Sequence, residues 1–202
     1  MPSVYAVVYD EAGNVLMATK VVRTYFNGNA DEVWEEGHQL GPEKAPGQPA
    51  LPGGDLKPNE LPEDGAKREF FEETNIDISS LTPITMFTGT NYYAVYFSVL
   101  DLPAKAQQMI SNLNLAENTV VPKIQSRQII YYDQIENDYP ACPKDNELMV
   151  PTGSKTLYNL QNPADWAIIQ SWENTEYQDW YYRILFYLKS LMATNPQPVR
   201  GS

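Results

Sequence analysis

Between Lys67 and Asn75 the chain reads KREFFEETN, and no other stretch restricts its fold and chemistry as much. Glu69, Glu72 and Glu73 crowd onto this short segment, although like charges one helical turn apart repel by roughly 0.2–0.5 kcal/mol per pair. On a helix advancing about 100° per residue, Glu73 and Glu72 lie four and three positions after Glu69, so the three carboxylates share one face. Ala66 and Phe70 form a neighbouring face that can dock on a sheet. The helix is expected to run from near Glu63 to Asn75, because Asn follows only Gly as the left-handed residue that closes a helix. A charge run of this kind is either a solvated face or a cradle for a cation. One cysteine, Cys142, and one histidine, His38, rule against an intrachain disulfide, a thiolate or multi-His metal site and a Ser-His-Asp triad. Hard carboxylate oxygens suit Mg²⁺ or Mn²⁺, which keep waters and substrate phosphates as further ligands.

The residues upstream add to this reading. Gly53 and Gly54 precede the loop into the helix, and glycine lets backbone approach a ligand and turn a carbonyl toward a metal. Glu60 lies between them and the helix, placed to reach back over the loop. Arg68 adjoins Glu69 in sequence but is expected to point away from it, where its several donors can fix carboxylates or loop carbonyls.

The formal net charge of −12 repels the phosphates of a nucleic-acid polymer and of an anionic membrane, so neither is expected as a partner. A small anionic substrate is compatible with it when metal ions intervene. No apolar run reaches the ~18 residues of a membrane span, and MPSVYAVVYD lacks a basic leader, so a cytoplasmic location is expected. Hydrophobic residues make up 43% of the 202, enough for a sizeable core and one domain over 1–202 with elaborations. SVYAVVYD and VLMATKVV read as a strand pair, and ITMFTGT and NYYAVYFSVL as two more strands. Residues 24–50, rich in Gly and Pro, read as a long loop or a split strand connection. Within 101–144, PAKAQQMISNL reads as a helix with Pro in its first turn and SRQIIYYDQI as a strand. From about 163 the chain reads as helical, with Tyr177, Trp180, Tyr181, Ile184, Leu185, Leu188 and Leu191 in a core stripe. The polar tail after Thr194 is expected to fray.

From Gly54 the chain runs Gly, five residues, Glu60, seven residues, then Arg68-Glu69-Phe70-Phe71-Glu72-Glu73-Thr74-Asn75-Ile76. This resembles the Nudix box, G-x5-E-x7-R-E-U-x-E-E-x-G-U with U apolar, departing from it only at Asn75, where the family has Gly. Asn adopts the same left-handed conformation, so the helix end is preserved. The resemblance implies an α/β/α sandwich with a mixed β-sheet and hydrolysis of a nucleoside diphosphate linked to another moiety. Carried over, it implies Glu69, Glu72 and Glu73 as catalytic metal ligands for Mg²⁺ or Mn²⁺, helped by the Gly53 backbone carbonyl. Glu60, Arg68 and Gly54 would be structural supports.

A base from outside the box is expected, with Glu147 the first candidate and Glu117 the second; each also reads as an ordinary surface residue. Tyr25, Trp34, His38 and Tyr92 are candidates for stacking on a base, although aromatic residues in this chain mostly read as core. The resemblance allows a homodimer, with no single residue carrying it. It equally allows a catalytically silent nucleotide-binding sensor, but such proteins commonly lose box carboxylates, and here all are present.

Overall fold

The structure, a computed structural model, describes residues 1–194, so the tail expected to fray lies outside the described residues. β1 (Ser3–Tyr9) sends Val4, Ala6 and Val8 to one face and Tyr5, Val7 and Tyr9 to the other. After a turn at Gly13, β2 (Asn14–Leu16) returns antiparallel to it. The strand expected over VLMATKVV is interrupted at Met17. β2 stays beside β1, whereas β3 (Ala18–Lys20) belongs to a second, three-stranded sheet.

Of the two readings of 24–50, the long loop is corrected: the stretch is a folded elaboration that carries strands. β4 (Arg23–Asn27) and β5 (Glu32–Gln39) pair antiparallel with a bulge between Thr24 and Phe26. β6 (Pro49–Ala50) pairs with β3, and β7 (Gly53–Asp55) pairs antiparallel with β1 over Ser3–Tyr5. One edge of β1 therefore carries two strands, β7 near its start and β2 at its end.

α1 (Pro62–Thr74) ends as expected at Asn75, whose φ is 53° and whose N–H donates to the Phe71 carbonyl at 2.7 Å. β8 (Thr85–Thr88) and β9 (Tyr92–Ser98) follow, with β9 parallel to β1 along its whole length and β8 antiparallel at the edge. α2 (Leu102–Leu115) passes through a π turn, Ala116–Val120, into α3 (Val121–Gln125). The strand expected over SRQIIYYDQI is not formed. Gln134 Oε1 accepts the N–H groups of Ile130 and Tyr131, and the chain enters α4 (Tyr132–Asp138) instead. β10 (Leu148–Met149) pairs with β3, β11 (Leu157–Asn159) pairs with β2, and α5 (Pro163–Gln170) and α6 (Asp179–Thr194) complete the described chain.

The main sheet has the order β11-β2-β1-β9-β8, with β7 also on β1. α1 docks through fully buried Ala66 and Phe70 on the face of Val4. α6 covers the opposite face: Tyr5 and Tyr181 meet edge to face at 5.4 Å, and the Tyr96 hydroxyl donates to the Ile184 carbonyl at 2.8 Å. Tyr181, Ile184, Leu185 and Leu188 of the expected stripe are buried, each contributing about 1.5–3 kcal/mol by transfer from water. The result is an α/β/α sandwich with a mixed sheet.

A second, smaller core joins β4 to α3 and α4 through Phe26, Val120, Ile124, Ile129, Tyr132 and Ile135. Cys142 is buried there, and burial pushes its thiol up to about 12, so it is inert at neutral pH. Among the described residues, no helix is long and apolar enough to cross a membrane.

Candidate active site

Glu69, Glu72 and Glu73 are only 8%, 4% and 2% exposed, which excludes the solvated-face reading of the charge run. α1 turns Glu69 and Glu73 toward β7, and Glu72 toward Asn29 and Arg68. A Cβ on Gly54 would stand 2.5 Å from Glu69 Oε2, and one on Gly53 would stand 2.3 Å from the Val4 carbonyl. At Gly53, where β7 pairs with β1, the obstacle is backbone and only glycine fits; at Gly54 it is the movable end of Glu69. The Gly53 N–H uses this approach to donate to Glu73 Oε2 at 2.7 Å.

Arg68 binds the site together and corrects one expectation. It does not point away from Glu69; its long stem folds back so that Nη1 donates to Glu69 Oε1 at 2.5 Å and Glu72 Oε2 at 2.9 Å. Its other edge grips Glu60 in a fork, Nε to Oε1 at 2.7 Å and Nη2 to Oε2 at 2.8 Å, and Nη2 also reaches the Asp55 carbonyl. These bonds hold Glu60 down to about 2. Glu60 and Arg68 thus lock the entry loop to the helix.

Two further elements supply groups that the sequence did not single out. Lys20 on β3 is 5% exposed, and its Nζ donates to Glu73 Oε1 at 2.8 Å and to Glu147 Oε2 at 2.9 Å. Its place was open to detection, since alternation on a strand puts Lys20 on the same inward face as Ala18. Asn29, at the tip of the β4–β5 hairpin, donates from Nδ2 to Glu72 Oε2 at 2.9 Å. The backbone N–H groups of Lys144 and Asp145 close on the Glu72 carbonyl, which carries the following residues into the site. Asp145 is 8% exposed, and the fully buried Asn146 accepts from Thr24 Oγ1 and the N–H of Tyr25 through Oδ1. No local signal in KDNE distinguishes these residues from a surface turn.

Of the two bases considered, Glu147 is drawn against Lys20, which holds its carboxyl below the usual range despite burial. Glu117 lies on the π turn and accepts from Asn146 at 3.4 Å. Of the aromatic candidates, only Tyr92 is brought to the site. Tyr25 packs in the second core, and Trp34 and His38 stack on each other at 4.2 Å on the hairpin.

The centre gathers the carboxyls of Glu69, Glu72, Glu73, Asp145 and Glu147 around the cations of Lys20 and Arg68. That imbalance bears on Glu69, Glu73 and Asp145. Burial, reinforced by Glu73 and opposed by Arg68, pushes Glu69 up to about 7. Burial also raises Glu73 against the pull of Lys20, and raises Asp145 far above the carboxylate range with help from Glu73 and Glu147. Among the described residues, no three His, Cys, Asp or Glu side chains stand placed to hold a metal ion as they are, and Arg68 and Lys20 engage the carboxylates. The donor set nevertheless fits a divalent cation: it is all hard oxygen, buried, and short of positive charge.

A cleft of about 380 Å³ opens beside Gly53, Gly54 and Lys20, with Lys44 at its rim. Tyr5, Tyr92, Trp180 and Tyr181 wall it. Tyr5 lies 6.2 Å from Tyr92 and 5.4 Å from Tyr181, and Tyr181 lies 5.3 Å from Trp180 between ring centres. A second lobe of about 680 Å³ continues past Tyr92 and Trp180 to Phe87 and Arg183.

A family model described as the NUDIX domain matches residues 1–114, more than half of the chain. Among solved structures, the crystal structure of a MutT protein from Methanosarcina mazei Go1 is 25% identical over 48% of this chain, with a TM-score of 0.29. The match spans 59% of that protein's length. No curated protein matches.

Proposed function

The chain belongs to the Nudix family, and we propose that it hydrolyses a small nucleoside diphosphate derivative with Mg²⁺ or Mn²⁺. Glu69, Glu72 and Glu73 would hold the ion, with the Gly53 carbonyl as a further donor. The observation that carries this reading is the burial of all three glutamates on one face of α1, beside Gly53–Gly54 and below an open cleft. A divalent ion there would screen the diphosphate from the glutamates and acidify an attacking water.

The chain's own groups divide the remaining work. Arg68 keeps Glu69 and Glu72 in place, and Glu60 keeps Arg68 in place. Lys20 and Lys44 supply positive charge at the cleft, where the substrate's phosphates would lie. Glu147, kept ionised by Lys20 and 26% exposed at its side chain, is the first candidate to accept the proton of the attacking water; Glu117 is the second. The aromatic wall of Tyr92 and Trp180 suits a flat group on one side of the diphosphate, such as a nucleobase.

The test is a panel of nucleoside triphosphates, dinucleoside polyphosphates, nucleotide sugars and ADP-ribose, incubated with Mg²⁺ or with EDTA. Release of phosphate monoesters or pyrophosphate from at least one class, in Mg²⁺ only, is the expected result. Nucleotide binding with no turnover on any compound would favour a silent sensor instead.

A further inference from the structure

The β4–β5 hairpin meets the centre at its tip, and backbone bonds fix how far it reaches. Lys144 holds both sides: its N–H donates to the Glu72 carbonyl at 2.8 Å, and its carbonyl accepts the Gly28 N–H at 2.7 Å. Asn27 forms an antiparallel bridge with Asp145, and Gly28 lies against the Tyr132 ring of α4. Within the tip, Asn27 Oδ1 accepts the N–H groups of Asn29 at 2.9 Å and Ala30 at 3.3 Å, which fixes the backbone that carries Asn29. Asn29 Nδ2 donates to Glu72 Oε2 at 2.9 Å, and Arg68 Nη1 donates to the same oxygen at 2.9 Å. Two donors engage the lone pairs of Oε2. Oε1 accepts no hydrogen bond among the described residues, and Lys57 Nζ stands 3.9 Å from it. Asn29 itself is exposed, whereas the Glu72 it meets is buried.

We propose that Asn29 is a positioning residue of the centre: with Arg68 it holds Glu72 by Oε2, so that Glu72 presents Oε1 to the divalent ion. This inference rests on the metal-dependent reading above, in which Glu69, Glu72 and Glu73 together hold the ion. It adds to that set a support from outside α1. A ligating carboxylate is oriented by the donors on its other oxygen, and such supports carry a share of the affinity for the ion. Here one donor comes from the same helix as the ligand. The other comes from a hairpin whose own packing lies in the second core. The elaboration over 24–50 is thereby part of the site.

The affinity for Mn²⁺, measured by the electron paramagnetic resonance of the free ion, tests this on wild type, Asn29→Ala and Asn29→Gln. Asn29→Ala is expected to raise the Kd for Mn²⁺ about 10-fold, the low end for loss of a ligand's support because Arg68 remains. Asn29→Gln keeps an amide donor at the tip and is expected to bring the Kd back toward wild type. A Kd unchanged in Asn29→Ala would overturn the proposal while leaving the metal-dependent reading standing. An equal loss of affinity in Asn29→Gln would overturn it too, since the amide would not be the source. Absence of Mn²⁺ binding by wild type would overturn both readings. A second measurement does not depend on the variants folding: anomalous diffraction from wild-type crystals soaked in Mn²⁺. Mn²⁺ is expected on Glu72 Oε1, with Asn29 Nδ2 still within hydrogen-bond distance of Oε2. Mn²⁺ on Oε2, with Asn29 Nδ2 displaced, would overturn the proposal.

Discussion

Arg68 illustrates how one side chain sets the electrostatics of the centre. Its fork on Glu60 leaves Nη1 free for Glu69 and Glu72, a division of donors that a lysine cannot make. Glu60→Gln is expected to cost about 1–2 kcal/mol at pH 7, the scale of a weakened charge-assisted bond. Glu60 is depressed to about 2 in the fold, so its contribution is complete above the ordinary carboxylate range and is lost as pH falls from about 4.5 toward 2. Denaturant melts of wild type and variant should accordingly differ at pH 7 and converge by about pH 2; a gap independent of pH would show that charge is not its source. At this scale the sequence was legible where spacing carried the information. Helical period places Glu69, Glu72 and Glu73 together, and strand period puts Lys20 inward with Ala18. Asp145 and Asn146 were illegible because their burial comes from contacts with the end of α1 and with β4, far along the chain.

Elements were read well where local chemistry decides them and poorly where a distant partner does. α1 ends at Asn75 because a left-handed residue is needed there, and the Asn75 side chain also donates to the Pro140 carbonyl at 3.1 Å. Asn75→Ala is expected to lower stability by about 1–2 kcal/mol, and Asn75→Gly by less, since glycine keeps the conformation and loses only the side-chain bond. Thermal melting of both variants checks the order. The β4–β5 hairpin is poorly legible in sequence because Thr24 and Phe26 pack on α3, α4 and Asn146 rather than on neighbours in sequence. The apolar run IIYY mimicked a strand, yet capping by Gln134 turned it into a helix start. Ile124→Ala, which hollows the core beneath this hairpin, is expected to cost about 2–5 kcal/mol. Hydrogen exchange should show the loss of protection concentrated in β4 and β5, with β1 and β9 spared; uniform loss would mean the two cores melt as one.

At the scale of the whole molecule, the sandwich brings four separate parts of the chain to one place: α1, the β7 glycines, β3, and the 145–147 segment. Lys20 and Lys44 place positive charge beside the cleft of an otherwise acidic chain, which is where the proposed phosphate-bearing substrate would meet it. On the proposed reading the box residues would define how a diphosphate is cut, and the aromatic wall and the two elaborations, whose folds depend on long-range packing, would select what flanks it. The most direct test of the account is the hydrolysis rate of wild type and Glu72→Gln on the best substrate of the panel, each with Mg²⁺ and with EDTA. The account predicts that EDTA abolishes wild-type turnover and that Glu72→Gln lowers kcat at least ~100-fold in Mg²⁺ while melting like wild type. Wild-type turnover undiminished by EDTA, or a Glu72→Gln variant as fast as wild type, would contradict it.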